Sequence, residues 1–157
     1  MVREKIFTMD TSGIKFGNGS TEEAGYEAKR LGLKKVLVLT DRNIENLNLF
    51  QIVQDSLVKY GVNFSIYNDV VTEPTDTSFK NASKFASDDD FDGFIAVGGG
   101  SVMDTAKAAN LYSTYPADFL DYVNAPIGKG IPIPGPLKPL ICVPTTAGTG
   151  SETTGGA

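Results

Sequence analysis

Short unbroken apolar runs alternate along the chain with longer stretches in which apolar side chains recur every three or four positions. Lys35-Val36-Leu37-Val38-Leu39-Thr40, Phe94-Ile95-Ala96-Val97 and Leu140-Ile141-Cys142-Val143 are such runs. Their length, their β-branched content and the turn residues around them predict strands buried on both faces, the signature of a parallel sheet. Val62 to Tyr67 is different, because Asn63-Phe64-Ser65-Ile66-Tyr67 alternates polar and apolar and predicts a strand nearer an edge. Helical spacing fills the intervals. Residues 21–31 start behind Ser20 or Thr21, carry Glu22 and Glu23 in the positive first turn, and end at Gly32. Residues 49–60 place Leu49, Ile52, Val53, Leu57 and Tyr60 on one face and stop at Gly61. Residues 76–87, capped by Thr75 or Asp76, align Phe79, Ala82 and Phe85.

Four strand–loop–helix units of this kind predict an α/β domain with a parallel sheet and helices on both faces. Two shorter segments, Ile6-Phe7-Thr8 and Ile14-Lys15-Phe16, flank the Asp10-Thr11-Ser12-Gly13 turn and predict a small N-terminal β-hairpin. Six of the eight prolines fall between Pro126 and Pro144, which predicts an extended, rigid crossing that leads into the last core strand. The chain then closes in a Gly/Thr-rich loop, Pro144 to Ala157, with no terminating element. The expectation is the first domain of something longer.

The most informative junction is Phe91 to Lys107, FDGFIAVGGGSVMDTAK. A strand runs straight into Gly98, Gly99 and Gly100, and Ser101 opens a helix through about Tyr112. Strand, glycine turn and helix N-terminus together form an anion site. Unpaired N–H groups point outward, the helix dipole favours negative charge, and missing side chains let a phosphate reach the backbone. A plain connector would not need three glycines, each costing roughly 0.5–1 kcal/mol of backbone entropy.

Composition narrows the function. The 157 residues carry a net charge of −5, which argues against nucleic acid and anionic membranes as partners. No apolar run approaches the ~20 residues of a membrane span. The N-terminus lacks the apolar centre of a signal peptide and the Arg/Ser-rich helix of a transit peptide, so the expected location is cytoplasmic, with the mitochondrial matrix as the alternative for a processed eukaryotic protein. One cysteine, Cys142, excludes an internal disulfide framework and is expected to be a buried structural thiol. Histidine is absent. Without imidazole there is no Ser–His or Cys–His nucleophile and no histidine metal site, so the chain is expected to bind rather than to catalyse unaided.

Spacing excludes the two commonest phosphate motifs. A P-loop requires Gly-Lys-Ser/Thr after its glycines, whereas Ser101-Val102-Met103 follows here. The Rossmann fingerprint requires a third glycine where Met103 stands and an acidic residue about 20 positions later. The acidic residue that ends a long apolar strand is Asp41, which precedes the glycines.

Gly98-Gly99-Gly100-Ser101 with Asp104-Thr105-Ala106-Lys107, followed by Pro144-Thr145-Thr146-Ala147-Gly148-Thr149-Gly150-Ser151-Glu152, resembles the iron-dependent (group III) alcohol dehydrogenases. Asp121 to Gly130, Pro136 to Ile141 and Glu152 to Gly155 are most similar to that family's hydroxyacid-oxoacid transhydrogenase branch. The resemblance implies a Rossmann-like, dehydroquinate synthase-like nucleotide-binding domain over residues 1–157. It implies that Gly98, Gly99, Gly100 and Ser101 receive the pyrophosphate of a nicotinamide dinucleotide. By the same resemblance Asp104 faces the nicotinamide side, while Thr145, Thr146 and Thr149 line the adenine-ribose side. Asp41 would accept hydrogen bonds from the adenosine ribose and repel a 2′-phosphate, favouring NAD over NADP; its alternative role is to cap the turn from Asn43 onward.

The intact family also carries a helical domain that holds Fe2+ or another divalent metal through one Asp and three His. The implied substrates are a small alcohol, aldehyde or hydroxy acid, and a homo-oligomer is compatible with the family. This chain has no catalytic residue or metal ligand to assign and is expected to be inactive alone. Two alternatives stand beside this reading: a self-contained, non-catalytic nucleotide-binding module, and a relative of the glycerol dehydrogenase or dehydroquinate synthase type.

Overall fold

The computed structural model describes residues 12–154 and 156–157. Strands β1 (Lys35–Leu39), β2 (Asn63–Tyr67), β3 (Gly93–Gly98) and β4 (Leu140–Pro144) form one sheet in the order β2-β1-β3-β4, and every pairing is parallel. The helices are α1 (Ala24–Arg30), α2 (Asn48–Lys59), α3 (Asp76–Ser87), α4 (Gly100–Thr114) and the single turn α5 (Phe119–Tyr122). Strand bounds differ from the apolar runs by one residue at most.

Alternation along the central strands explains why those runs are apolar throughout. Val36, Val38, Ile95 and Val97 pack on one face against Ala24 and Ala28 of α1 and Phe50, Val53 and Leu57 of α2. Leu37, Leu39, Phe94 and Ala96 pack on the other against Ala82 and Ala86 of α3 and Val102, Met103, Ala106 and Ala109 of α4. All eight strand side chains are fully buried, so neither face tolerates a polar residue. β2, at an edge, is only half-buried, in keeping with its mixed sequence.

The helix ends follow local chemistry. Thr75 caps α3 through a capping box: its Oγ1 accepts from Ser78 N at 3.2 Å, and Ser78 Oγ accepts from Thr75 N at 2.8 Å. Helices α1 and α2 cross where Gly25 meets Ser56. Gly25 N donates to Ser56 Oγ at 2.9 Å, and that hydroxyl donates to Glu22 O at 2.6 Å. A Cβ on Gly25 would overlap the Ser56 carbonyl, so only glycine permits the crossing.

One expectation lies partly outside the described residues and one needs correction. The first arm of the N-terminal hairpin, Ile6 to Thr8, lies outside the described residues. Its second arm, Ile14 to Phe16, joins no strand among the described residues, with Ile14 73% and Phe16 fully exposed. Lys15 alone is engaged, pairing with Glu23 and Glu27 at the start of α1. The correction concerns β4, which is an edge of the described sheet rather than a core strand. Leu140, Ile141, Cys142 and Val143 are half-buried, because a described strand covers one side only.

Topology selects the functional end of the sheet. The chain runs from β1 outward to β2, returns past β1 to β3, and continues to β4. The winding therefore reverses between β1 and β3. In open α/β sheets, ligands dock in the crevice beyond the carboxyl ends of the strands at such a reversal. A buried bond spans it here: Thr40 Oγ1 donates to Val97 O at 2.9 Å, pinning the end of β1 to the end of β3.

Gly25→Ala is expected to destabilise the fold by about 1–3 kcal/mol, the cost of overpacking a closed helix crossing. Thr40→Val should cost about 1–3 kcal/mol by removing a buried hydrogen bond. Urea unfolding reads both: the midpoint should fall while the slope is unchanged. A midpoint within error of wild type for either variant would refute that contact's role.

Candidate functional site

Helix α4 begins immediately beyond β3 without a cap. Gly99, its N-cap residue, is extended, and no side chain accepts from the first turn, which holds no acidic residue. Val102 N and Met103 N turn inward to Gly99 O, both at 3.1 Å. The N-terminal end of a 15-residue helix thus faces the β1/β3 crevice with its dipole uncompensated.

The three glycines are explained by close approach and not by left-handed backbone, since none of them has positive φ. A Cβ on Gly98 would overlap Val102. A Cβ on Gly99 would stand 3.0 Å from Thr146 Oγ1. On Gly100 it would stand 3.3 Å from Ser151 Oγ and 3.4 Å from Thr149 Cβ. The loop after β4 therefore lies directly on the glycine turn. Thr145 N donates to Gly98 O at 3.0 Å and starts that approach, and Gly148 and Gly150, at φ 93° and 74°, supply the left-handed turns that complete it. Thr149 Oγ1 accepts from Ser151 N at 3.4 Å. The sequence-predicted residues Gly98, Gly99, Gly100, Thr145, Thr146 and Thr149 are thus brought together, beside Ser101 at the start of α4.

Asp41 stands one residue past Thr40 at the carboxyl end of β1, on the other bank of the crevice. Its Oδ1 accepts from Asn43 N at 2.8 Å and Ile44 N at 3.0 Å. The capping role is therefore real, and it orients the carboxylate while leaving Oδ2 free of those bonds.

Asp104 lies one turn inside α4 and is paired with Lys107, whose Nζ donates to Asp104 Oδ1 at 3.3 Å. The same ammonium donates to Thr154 Oγ1 at 3.1 Å and to Gly156 O at 2.6 Å. With its side chain only 12% exposed, Lys107 latches the end of the Gly/Thr loop to α4. Sequence reading placed Lys107 in the motif without a role. Its offset of three from Asp104 signals the helical pair, but the bonds to residues 154 and 156 join positions far apart in the chain. Ser151 was missed for the same reason.

Cys142, on β4, is half-buried, and burial pushes its thiol above the usual range. It is therefore a protonated thiol at neutral pH and a poor nucleophile. Among the described residues, no group of three or more His, Cys, Asp or Glu side chains could hold a metal ion, and no helix is long and apolar enough to cross a membrane. A concavity of about 320 Å³ lined by Lys80, Ser83, Tyr112, Ala117, Asp118 and Phe119 lies at the other end of α4, remote from the glycine turn.

Comparison with known proteins agrees with this geometry. The family model described as iron-containing alcohol dehydrogenase matches residues 11–157. Mitochondrial hydroxyacid-oxoacid transhydrogenase from Bos taurus is 59% identical over 150 residues, covering 95% of this chain and 32% of the relative. Its Homo sapiens counterpart is 56% identical with the same coverage. The NADH-dependent butanol dehydrogenase A of Thermotoga maritima superposes with a TM-score of 0.87 at 29% identity, over 97% of this chain and 37% of that one. Sulfoacetaldehyde reductase from Bifidobacterium kashiwanohense, solved in complex with NAD+, superposes with a TM-score of 0.82 at 27% identity, over 96% and 39%. The chain belongs to the iron-containing alcohol dehydrogenase family, and it spans about a third of the length of the curated relatives it matches.

Lys107→Met should release the loop end and leave Asp104 without its partner. The expected signature is faster hydrogen exchange at Thr153 N, which donates to Gly150 O at 3.0 Å, by about tenfold or more, with the central-strand amides protected as before. Equal protection of Thr153 in both proteins would show that the latch is dispensable.

Proposed function

We propose that residues 1–157 are the dinucleotide-holding domain of a metal-dependent oxidoreductase that moves a hydride between a small alcohol, aldehyde or hydroxy acid and NAD. One observation carries the reading. An uncapped helix N-terminus, stripped of Cβ atoms at three successive positions and roofed by a hydroxyl-bearing loop, faces the crevice where the sheet reverses.

The roles assigned to this chain are binding and orientation. Gly98, Gly99, Gly100 and Ser101 offer backbone N–H groups to the pyrophosphate, whose charge compensates the α4 dipole. Thr145, Thr146 and Thr149 supply hydroxyls on the adenine-ribose side. Asp41, held by Asn43 N and Ile44 N, turns its remaining oxygen to the ribose hydroxyls; a 2′-phosphate would meet like charge there, so NAD is preferred to NADP. Asp104 borders the nicotinamide end of the groove, its carboxylate steadied by Lys107. The dinucleotide, when bound, supplies the hydride acceptor or donor.

The described residues do not fit a metal, and no step through one is assigned to them. In the intact protein the metal belongs to a helical domain outside this chain, so the chain alone is inactive. The mitochondrial names of the relatives favour the matrix for a eukaryotic source.

Calorimetric titration with NAD, ADP-ribose and NADP tests the reading. NAD and ADP-ribose should bind, NADP should bind more weakly, and Asp41→Gly should narrow the NAD/NADP ratio by about tenfold, or 1.4 kcal/mol. Gly99→Val should weaken all three, because the added side chain displaces Thr146. No binding of NAD at ~1 mM, or tighter binding of NADP than of NAD by the unmodified chain, would overturn it.

A further inference from the structure

The dipeptide Asp41-Arg42 is chemically ambiguous at the end of β1. A carboxylate there selects the free ribose hydroxyls of NAD, whereas an arginine beside such a strand end is the group that receives the 2′-phosphate of NADP. Arg42 is permanently charged and presents a fork suited to phosphate. Left free next to Asp41, it would offset the repulsion on which NAD preference depends.

The fold directs it elsewhere. Arg42 Nε and Nη2 both donate to Asp69 Oδ1, at 3.1 and 2.5 Å. Asp69 follows β2, and β2 lies on the side of β1 away from β3. The guanidinium is therefore drawn outward, away from the bank where the pyrophosphate docks. An antiparallel bridge between Asp41 and Asp69 holds the two backbones in register, and Asn46 Nδ2 donates to Arg42 O at 2.6 Å. Beside them, Asn68 Nδ2 donates to Glu45 Oε2 at 2.8 Å, which adds a third carboxylate to this corner. With Arg42 paired to Asp69, Asp41 is the charge that a 2′-phosphate meets at the end of β1.

We propose that Asp69 is a specificity-determining residue that excludes NADP by sequestering Arg42 from the ribose site. This rests on the dinucleotide reading above and adds a second element to it: Asp41 repels the 2′-phosphate, and Asp69 withholds the cation that would attract it. The two should differ in size. The Arg42–Asp69 side chains are 77% and 58% exposed, and an exposed ion pair shifts an equilibrium only about two- to fivefold.

The test is the NAD/NADP affinity ratio of the protein and four variants, Asp41→Gly among them, at low salt. Asp69→Asn should tighten NADP about two- to fivefold and leave NAD within error. Asp41→Gly/Asp69→Asn should tighten NADP beyond the product of the Asp41→Gly and Asp69→Asn effects, because a released Arg42 then faces one carboxylate, Glu45, instead of three. Arg42→Met/Asp69→Asn should return NADP affinity to the wild-type value. An unchanged ratio in Asp69→Asn, with NAD still bound, would overturn the proposal alone. A gain that persists in Arg42→Met/Asp69→Asn would also overturn it, by assigning the effect to the lost carboxylate field. Failure of the unmodified protein to bind either dinucleotide would overturn both this proposal and the reading beneath it.

Discussion

The carboxyl end of the sheet depends on one steric constraint: the backbone at Gly98 to Gly100 is closely approached, so that a Cβ would overlap Val102 at Gly98 and crowd Thr146 and Ser151 at Gly99 and Gly100. Thr146 and Ser151 press on the turn from the loop after β4, and Val102 presses from within α4. Remove the Cβ atoms and the loop can seat; seat the loop and its hydroxyls border the end of the helix. The entropic cost of three glycines, roughly 0.5–1 kcal/mol each, accompanies this close approach of loop and turn. None of the three adopts positive φ, so it is contact and not backbone strain that requires glycine here.

That local arrangement has consequences only because the sheet reverses direction beside it. The return from β2 to β3 places α3 and α4 on the face opposite α1 and α2, and leaves the strand ends at β1 and β3 uncovered by any crossover. Thr40 fixes how far apart those ends stand, through its bond to Val97 O. Asp41 and the glycine turn are thereby held on opposite banks of one crevice. Positioning flows outward from the fully buried central strands, which are the least deformable part of the molecule.

Much of this was legible in the chain, and the reasons for the rest are physical. β1 and β3 announce themselves because burial on both faces removes alternation, and β2 because exposure restores it. The start of α3 was legible because a capping box is local, with Thr75 and Ser78 three residues apart. What failed was burial that depends on neighbours. β4 has an apolar run but a described strand on one side only, and its own residues do not reveal which neighbours it will have. The site followed the same rule. Gly98 to Ser101 and Asp41 could be picked out from their positions after strands, and the Thr/Gly loop from its motif. Lys107 reaching Gly156, Thr40 reaching Val97 and Arg42 reaching Asp69 are contacts between distant positions, invisible to any window of sequence.

Charge completes the argument. A chain of net charge −5 is an improbable anion binder if binding is judged by ionic balance. The cation nearest to the motif's own helix does not change this, because Lys107 directs its ammonium to Asp104, Thr154 and Gly156. At the carboxyl end of β1, Arg42 is likewise turned to Asp69. What remains for an anion is the uncapped end of α4, a partial positive charge of about half an elementary unit made of backbone dipoles. Such a charge acts within the first turn of the helix and fades with distance, whereas the acidic surface acts broadly and weakly through solvent. The crevice can therefore attract phosphate at one point while the rest of the molecule repels polyanions. Backbone dipoles localise the attraction at one point, which scattered lysines would not.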